Sequence, residues 1–127
     1  GLDLIWAATQ EILDGDVVLS RGLSVDREIV DKMSKGTMRI NVNTVGHWSE
    51  SFDTAEDFSR TSNYAKSSLL LTVKIPKEAA IFHYKLWGEY SEKEIVPIFT
   101  KNLKILSTTT FTGKHGDVVS ADLIFQG

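Results

Sequence analysis

Glu92 and Glu94 are the side chains of this sequence whose type and spacing best suit chemistry. They stand where a loop with glycine and aromatic residues runs into the apolar segment 95–99. Because residues two apart on a strand share a face, both carboxylates would point the same way and Lys93 the opposite way. Like charges on one face repel each other unless a cation or a reaction uses them. The pair is therefore either a solvated acidic edge or two carboxylates of an active site.

Two earlier pieces carry polar side chains of other kinds. Arg21 and Gly22 follow a short apolar segment, residues 17–19. A guanidinium offers a rigid fork of donors that suits phosphate groups, but it also serves in ordinary surface ion pairs. The second piece is Trp-Ser-Glu-Ser at residues 48–51, and Ala-x-x-Phe follows it at 55–58. Alone, each piece is also compatible with a turn glycine or with strand serines satisfied by their neighbours.

The order of the three pieces resembles the Arg–Ser–Glu class of mono-ADP-ribosyltransferases, which includes many bacterial toxins and enzymes that tailed phages use on host proteins. In that family an arginine ends one strand, Ser-Thr-Ser leads into Ala-x-x-Phe, and Gln/Glu-x-Glu opens a strand rich in Val, Leu and Ile. Here Arg21, 49–51 and 92–94 stand at the corresponding places. Segments similar to the family's strands around the catalytic loop and at its end are 69–76, 97–106 and 119–125. The resemblance spans about residues 2–126.

The resemblance implies a reaction in which the bond between ribose and nicotinamide of NAD breaks and ADP-ribose passes to a protein. Positive charge builds on the ribose as in glycoside cleavage, and a carboxylate beside the sugar stabilises it. Glu94 would take this role, while Glu92 would face the acceptor. A glutamate at the latter place implies arginine as the modified side chain, since a carboxylate can orient a guanidinium and accept its proton. NAD is then a substrate, no metal is required, and the other partner is a target protein of a host cell.

Further residues receive roles from the same resemblance. Arg21 would clamp the NAD diphosphate, and the backbone of Gly22 would approach the nicotinamide amide, where a Cβ could obstruct it. Ser49 would orient Glu94 and contact NAD. The remaining candidates are Ser51 beside the pocket, Phe58 with Arg60 (or Tyr64 instead) covering the nicotinamide, and Tyr90 touching the acceptor protein. Phe58 is also a candidate core residue, as is Trp48.

The sequence departs from the family pattern in three places. Glu50 replaces the small residue usual between the two serines, and we expect its side chain to face away from the site. Ser20 stands where an aromatic residue often precedes the arginine. The chain is also short for the family, so we expect an N-terminal helical part to be missing or reduced. It begins at Gly1 rather than Met, which fits an excised domain or a processed product.

Two other functions remain open at this point. An NAD glycohydrolase would use water as the acceptor in the same site. A non-enzymatic interaction domain, such as part of a phage particle or a decayed copy of the fold, would leave NAD unchanged.

Composition narrows the class of partner. The chain has 127 residues, a net charge of −3 and a pI of about 5.6, which argue against a nucleic-acid binder. The absence of cysteine excludes disulfides and thiolate metal sites, and the three histidines lie too far apart in sequence to support a metal site. No apolar run approaches the ~18 residues that span a bilayer, so we predict a soluble protein, delivered into or expressed in a host cell. Rossmann, Walker and Gly-x-Ser-x-Gly motifs are missing.

Periodicity predicts the elements that position these residues. Helices are expected at about 2–13 and 25–34, and a short one is expected to start at Asp53, which would cap it, and to bury Ala55 and Phe58. Residues 46–52 read as a turn and then a strand, and 60–68 as a polar loop. Strands are expected at 17–19, 38–42, 69–75, 80–84, 94–99, 103–107 and 118–125.

Helices that cluster early and strands that cluster late indicate an α+β fold in one domain, residues 1–127. Pro97 predicts an edge position or a bulge, because proline cannot donate to the ladder. The resemblance adds the arrangement: two small, crossed, mainly antiparallel sheets that form an NAD cleft and are flanked by helices.

Overall fold

Helices and strands alternate irregularly along the chain. The computed structural model describes residues 1–35, 48–61, 65–86, 93–99 and 103–126, without the side chains of Leu2 and Ser34. The described helices are α1 (Leu2–Ile12), α2 (Arg27–Ser34) and α3 (Phe52–Phe58), with a short 3-10 turn at Lys77–Ala79. The described strands are β1 (Val17–Asp26), β2 (Trp48–Ser49), β3 (Lys66–Ile75), β4 (Ala80–His83), β5 (Glu94–Pro97), β6 (Lys104–Gly113) and β7 (Gly116–Ile124). The predicted strand at 38–42 lies outside the described residues.

The described strands form a mixed sheet in the order β4-β5-β2-β1-β3-β7-β6. Only β3 and β7 pair in parallel among them, so the prediction of a mainly antiparallel arrangement is confirmed. Hydrogen bonds connect the seven strands of the described residues into a single sheet, and the predicted division into two crossed sheets is therefore not confirmed. The link between the β4-β5-β2 side and the rest is narrow, because β2 meets β1 at one residue pair, Ser20 and Ser49.

The centre of the sheet is covered on both faces. Leu69 and Leu71 of β3 belong to the larger core with Leu19, while Leu70 between them packs on the other face against Ala55 of α3. A strand that is buried on both faces has a nearly continuous run of apolar residues in its sequence. The strand predicted from such a run at 69–75 is confirmed.

Polar side chains attach α1 to the 3-10 turn and to β4. Trp6 Nε1 donates to the Glu78 carbonyl at 3.0 Å, and Gln10 Nε2 donates to the carbonyls of Lys77 and Ala80 at 2.9 and 3.1 Å. The predicted helix at 2–13 is confirmed to within a residue. Its docking fixes the β4 end of the sheet relative to the helix.

Several predicted boundaries are wrong because strand pairing overrides local pattern. β1 does not stop at residue 19 but runs to Asp26, since β3 offers it a ladder of ten residue pairs. For the same reason α2 begins at Arg27 rather than 25, and β3 begins at Lys66 inside the predicted polar loop. An ion pair of 2.8 Å between Asp26 and Lys66 closes this end of the ladder.

Two further expectations concern irregular points. β6 extends well beyond residue 107, to Gly113, because β7 pairs with it along almost its whole length. The bulge expected at Pro97 is present on the partner strand, where the register shifts between Ala80 and Phe82. A proline at the last position of β5 is tolerated there because the ladder is already interrupted.

Candidate active site

Ser49 and Glu94 lie directly opposite each other on the adjacent strands β2 and β5. At the next position along the ladder, the Glu50 N–H donates to the Lys93 carbonyl at 3.1 Å. That bond identifies Ser49 and Glu94 as a non-hydrogen-bonded pair, the kind in which opposed side chains lie closest, with Cα atoms about 4.5 Å apart. Ser49 is buried and Glu94 half-buried. A hydroxyl and a carboxylate predicted from the sequence are thus placed side by side.

The pair is joined to β1 through Ser20. Ser20 pairs with Ser49 across the strands, and its Oγ lies 3.5 Å from Thr72 Oγ1 of β3. Directly opposed residues of a sheet project to the same face. Glu94, Ser49, Ser20 and Thr72 therefore form a row of polar side chains across four neighbouring strands.

Arg21 follows Ser20 immediately, so it lies one residue from this row. Strand alternation points its side chain to the opposite face of β1 from Ser20, between Leu19 and Leu23. The side chain is half-buried, and burial lowers the pKa of the Arg21 guanidinium from its ordinary value. A guanidinium starts so far above neutrality that it stays charged at physiological pH. Arg21 is thus a partly desolvated cation whose side chain lies on the face of the sheet opposite Ser49 and Glu94.

Ser51 connects the pair to α3. Its Oγ accepts the Thr54 N–H at 3.2 Å and so caps the helix, while its own N–H donates to Ser49 Oγ at 2.9 Å. The expectation that Asp53 caps this helix is therefore wrong, because Ser51 occupies the position before the first turn. The role expected for Ser51 beside the NAD pocket stays a prediction.

Gly22 meets α3 at backbone distance. A Cβ at this position would lie 1.7 Å from the Ala55 carbonyl oxygen and 2.6 Å from the Ser59 nitrogen. The structure therefore supplies a reason for glycine that the sequence did not suggest, which is close packing of helix on strand. Its predicted contact with nicotinamide stays a prediction.

Glu50, the residue between the two serines, turns away from the pair as expected. Its carboxylate bonds two residues at the end of β4: Oε1 lies 3.4 Å from His83 Nε2, and Oε2 accepts the Tyr84 hydroxyl at 3.3 Å. His83 is 2% exposed, and its ring stacks on that of Tyr84 with centroids 4.3 Å apart. Burial lowers the pKa of His83 more than Glu50 raises it.

Sequence reasoning missed His83 and Tyr84. Tyr84 lies 34 residues from Glu50 along the chain, and the two come together because β2 and β4 both pair with β5. No local pattern around residue 83 signals a partner of this kind. The one available hint was the unusual glutamate between the serines, which needs a counterpart.

The two aromatic residues that are candidates for the core, Trp48 and Phe58, differ in their burial. Trp48 is 4% exposed and meets Phe99 edge-on at 5.6 Å between ring centroids, so its core role is confirmed. Phe58 is 53% exposed on α3, so the prediction that the helix buries it is wrong, while Ala55 is buried as predicted. Helix α3 is short and turns its Ala55 face to the sheet, which leaves Phe58 and, just after the helix, Arg60 at the surface.

Some predictions fall on residues that the structure does not describe. Glu92, Tyr90 and Tyr64 lie outside the described residues, as does His47. In the described ranges no group of three or more His, Asp or Glu side chains is arranged to hold a metal ion. None of the helices within those ranges is long and apolar enough to cross a bilayer.

Comparison with solved structures finds similarity to Vis toxin, an ADP-ribosyltransferase from Vibrio splendidus, with a TM-score of 0.52 and 15% sequence identity. The match covers 96% of this chain and 54% of the toxin, so the chain spans about half of that protein's length. At this identity the likeness establishes an ADP-ribosyltransferase-like fold. No protein-family model matches the chain, and no curated protein matches it.

Proposed function

We propose that this chain is an NAD-dependent mono-ADP-ribosyltransferase of the Arg–Ser–Glu class, which transfers ADP-ribose to arginine of a host-cell protein and releases nicotinamide. The observation that carries the proposal is the Ser49–Glu94 pair on a sheet of the matching fold, where Ser49 also pairs with Ser20, the residue before Arg21. Two sequence motifs that are widely separated in the chain, those of Ser49 and Glu94, lie on adjacent strands, and this supports the proposal.

In the proposed reaction the bond between the ribose anomeric carbon and the nicotinamide nitrogen breaks. The bonding electrons leave with nicotinamide, which departs neutral, and positive charge develops on the ribose. Glu94 lies beside that sugar, hydrogen-bonds one of its hydroxyls and stabilises the charge. Ser49 Oγ accepts the Ser51 N–H, and its own hydroxyl proton can be donated to the Glu94 carboxylate. This arrangement holds the carboxylate in one orientation.

The other candidates complete the proposed site. Arg21 clamps the NAD diphosphate with a bidentate fork, and the Gly22 backbone contacts the nicotinamide amide. Phe58 and Arg60 remain available at the surface to cover the nicotinamide. Glu92 orients the acceptor guanidinium and takes the proton that it loses as the new bond forms, and Tyr90 touches the acceptor protein. We also propose that the strands form two small crossed sheets and that NAD binds in the cleft between them.

The test is incubation of the protein with labelled NAD and host lysate, followed by mass spectrometry that maps the modified side chains. We expect release of nicotinamide and ADP-ribose on arginine, and neither product from a Glu94→Gln control. Label that appears only as free ADP-ribose would instead identify an NAD glycohydrolase. Unchanged NAD after long incubation would contradict both enzymatic functions and favour an interaction domain.

A further inference from the structure

Strand β2 is too short to hold its own position. It has two residues, and it pairs with β5 at two positions and with β1 at one. Yet one of those two residues is Ser49, whose placement opposite Glu94 the proposed reaction requires. Something beyond the ladder must fix this end of β2.

The contacts of Glu50 supply that anchor. Its backbone N–H bonds the Lys93 carbonyl, next to Glu94, and its carboxylate reaches over β5 to His83 and Tyr84. His83 pairs with Ile95, a fully buried residue of β5. The link from Glu50 to His83 therefore crosses β5, the strand that carries Glu94, on the face of the sheet opposite the Glu94 side chain. We call Glu50, His83 and Tyr84 the Glu50 clamp.

The clamp has a defined hydrogen-bond direction. The Lys85 N–H donates to His83 Nδ1 at 3.1 Å, so Nδ1 is an acceptor and the ring proton of the neutral form sits on Nε2. That proton faces Glu50 Oε1, and the Tyr84 hydroxyl faces Oε2. Each carboxylate oxygen thus accepts one donor, and such charge-assisted bonds are stronger and more directional than neutral ones.

The backbone beside the clamp is in an uncommon conformation. Lys93 has φ of 48°, a left-handed value that is rare for residues other than glycine and costs free energy. A residue in such a conformation persists when its surroundings hold it, and the bond from the Glu50 N–H to its carbonyl is one such restraint. Lys93 in turn sets the direction in which the chain enters Glu94.

We infer that Glu50, held by His83 and Tyr84, is a positioning residue that fixes Ser49 and Glu94 relative to each other. The inference rests on the proposed function for its catalytic consequence, but the geometry of the clamp does not depend on it. Glu50 acts through the backbone and through its neighbours and contacts neither NAD nor the acceptor.

The kinetic test compares nicotinamide release by Glu50→Ala, Glu50→Gln and Tyr84→Phe with a control, Glu28→Ala, at an exposed glutamate of α2. A misplacement of about 1 Å costs on the order of 100-fold in rate, so we expect Glu50→Ala to lower kcat by about 10- to 100-fold. KM for NAD should change less than about twofold, since NAD binding is not touched. Glu50→Gln keeps an acceptor for His83 and should recover most of the lost kcat, and Tyr84→Phe should fall between.

An unchanged kcat in Glu50→Ala would overturn the inference, and so would a raised KM with unchanged kcat, because the latter indicates a direct contact with NAD. Hydrogen exchange at the residue 50 amide provides a readout without catalysis. We expect faster exchange in Glu50→Ala and Tyr84→Phe, with the β1–β3 amides unchanged. A wild-type protein that releases no nicotinamide would contradict the proposed function. The exchange data would still test the inference about Glu50, because equal protection of the residue 50 amide in all variants would overturn it.

Discussion

Glu94 makes the largest electrostatic contribution to the proposed reaction, because it stabilises a positive charge on the ribose that exists only near the transition state. We predict that Glu94→Gln lowers the turnover of nicotinamide release by orders of magnitude while NAD affinity is largely kept. The amide retains hydrogen-bonding groups of nearly the same shape and loses only the negative charge. Steady-state kinetics and calorimetric NAD titration measure the two effects separately. Weaker NAD affinity with unchanged turnover would instead assign Glu94 to ground-state binding.

Arg21 has a different task, and its removal should therefore have the opposite signature. We predict that Arg21→Ala weakens NAD binding by roughly 10- to 100-fold, the equivalent of about 1.5–3 kcal/mol for hydrogen bonds to a charged group. The matched control is Arg27→Ala, which removes an exposed arginine at the start of α2. An NAD affinity equal to that of the control would count against the clamp role, and Arg21 would then serve the core face of β1 alone.

At this scale the sequence predicted residue identities better than their partners. The family resemblance points to Ser49 and Glu94, Glu94 also stands out by its spacing from Glu92, and the structure pairs Ser49 with Glu94. The sequence does not point to His83 and Tyr84, because a buried hydrogen bond or a ring stack leaves no periodic pattern in the sequence. The burial predicted for Phe58 is wrong because helical spacing alone does not bury a hydrophobic side chain, and α3 is too short to bury more than one stripe of residues.

Among the elements, α3 and β1 make the closest contact that bears on the site. Helix α3 begins at the Ser51 cap and runs over Gly22, and its far end is tied to the β6–β7 turn. There the Glu56 carboxylate accepts the Lys114 N–H at 3.1 Å, and Asp57 bonds Lys114 and His115. The helix thus bridges the serine motif to the opposite edge of the sheet.

The contact with β1 makes a specific demand on residue 22. We predict that Gly22→Ala destabilises the fold by about 1–3 kcal/mol, because the new Cβ would overlap the backbone of Ala55 and Ser59, which cannot yield as a side chain can. Gly15→Ala is the control, since a Cβ there meets nothing within 4 Å. Chemical denaturation measures both changes in the free energy of unfolding. Equal values for the two variants would show that α3 moves aside without cost.

Element lengths were the least predictable feature of the fold. The apolar pattern of β1 ends near residue 19, yet the strand continues because β3 pairs with it over ten residues. β6 likewise continues through four consecutive threonines or serines, whose side chains suit a strand but give no apolar alternation. In both cases the partner strand sets the length, and a single segment cannot reveal its partner.

In the whole molecule, the registers of separate strands align polar residues across the sheet. The row that starts at Glu94 and Ser49 continues beyond Ser20 and Thr72 to Asp122 of β7, which pairs with Thr72 in parallel register. A prediction from the sequence could place each residue on a strand but not at a common level, because register is decided by pairing. The candidate site therefore forms only when the strands pair, even though each of its residues can be identified separately from the sequence.

The Glu50 clamp also couples the stability of the whole fold to pH. Burial lowers the pKa of His83 below its ordinary value of 6.5, against the opposing effect of Glu50 and with a smaller contribution from Lys85. Below that value the unfolded chain binds a proton at His83 that the folded protein does not, so stability is full above about pH 6.5 and falls as the pH drops toward the folded pKa. Asp57, whose pKa is lowered by Lys114 and His115, makes stability fall only in the separate window below its ordinary 3.8.

We therefore predict that the denaturation midpoint falls between about pH 7 and pH 5 in the wild type, and that His83→Gln has a flatter profile over this interval because it removes the group that titrates. Denaturant unfolding at a series of pH values measures the slope. The imidazole resonance of His83, assigned by its absence in His83→Gln, reports the pKa directly. Glu50→Gln should move that pKa further down, since the carboxylate raises it through charge and a hydrogen bond. An unmoved resonance would mean that Glu50 and His83 do not interact in solution, and the link between β2 and β4 would then be absent.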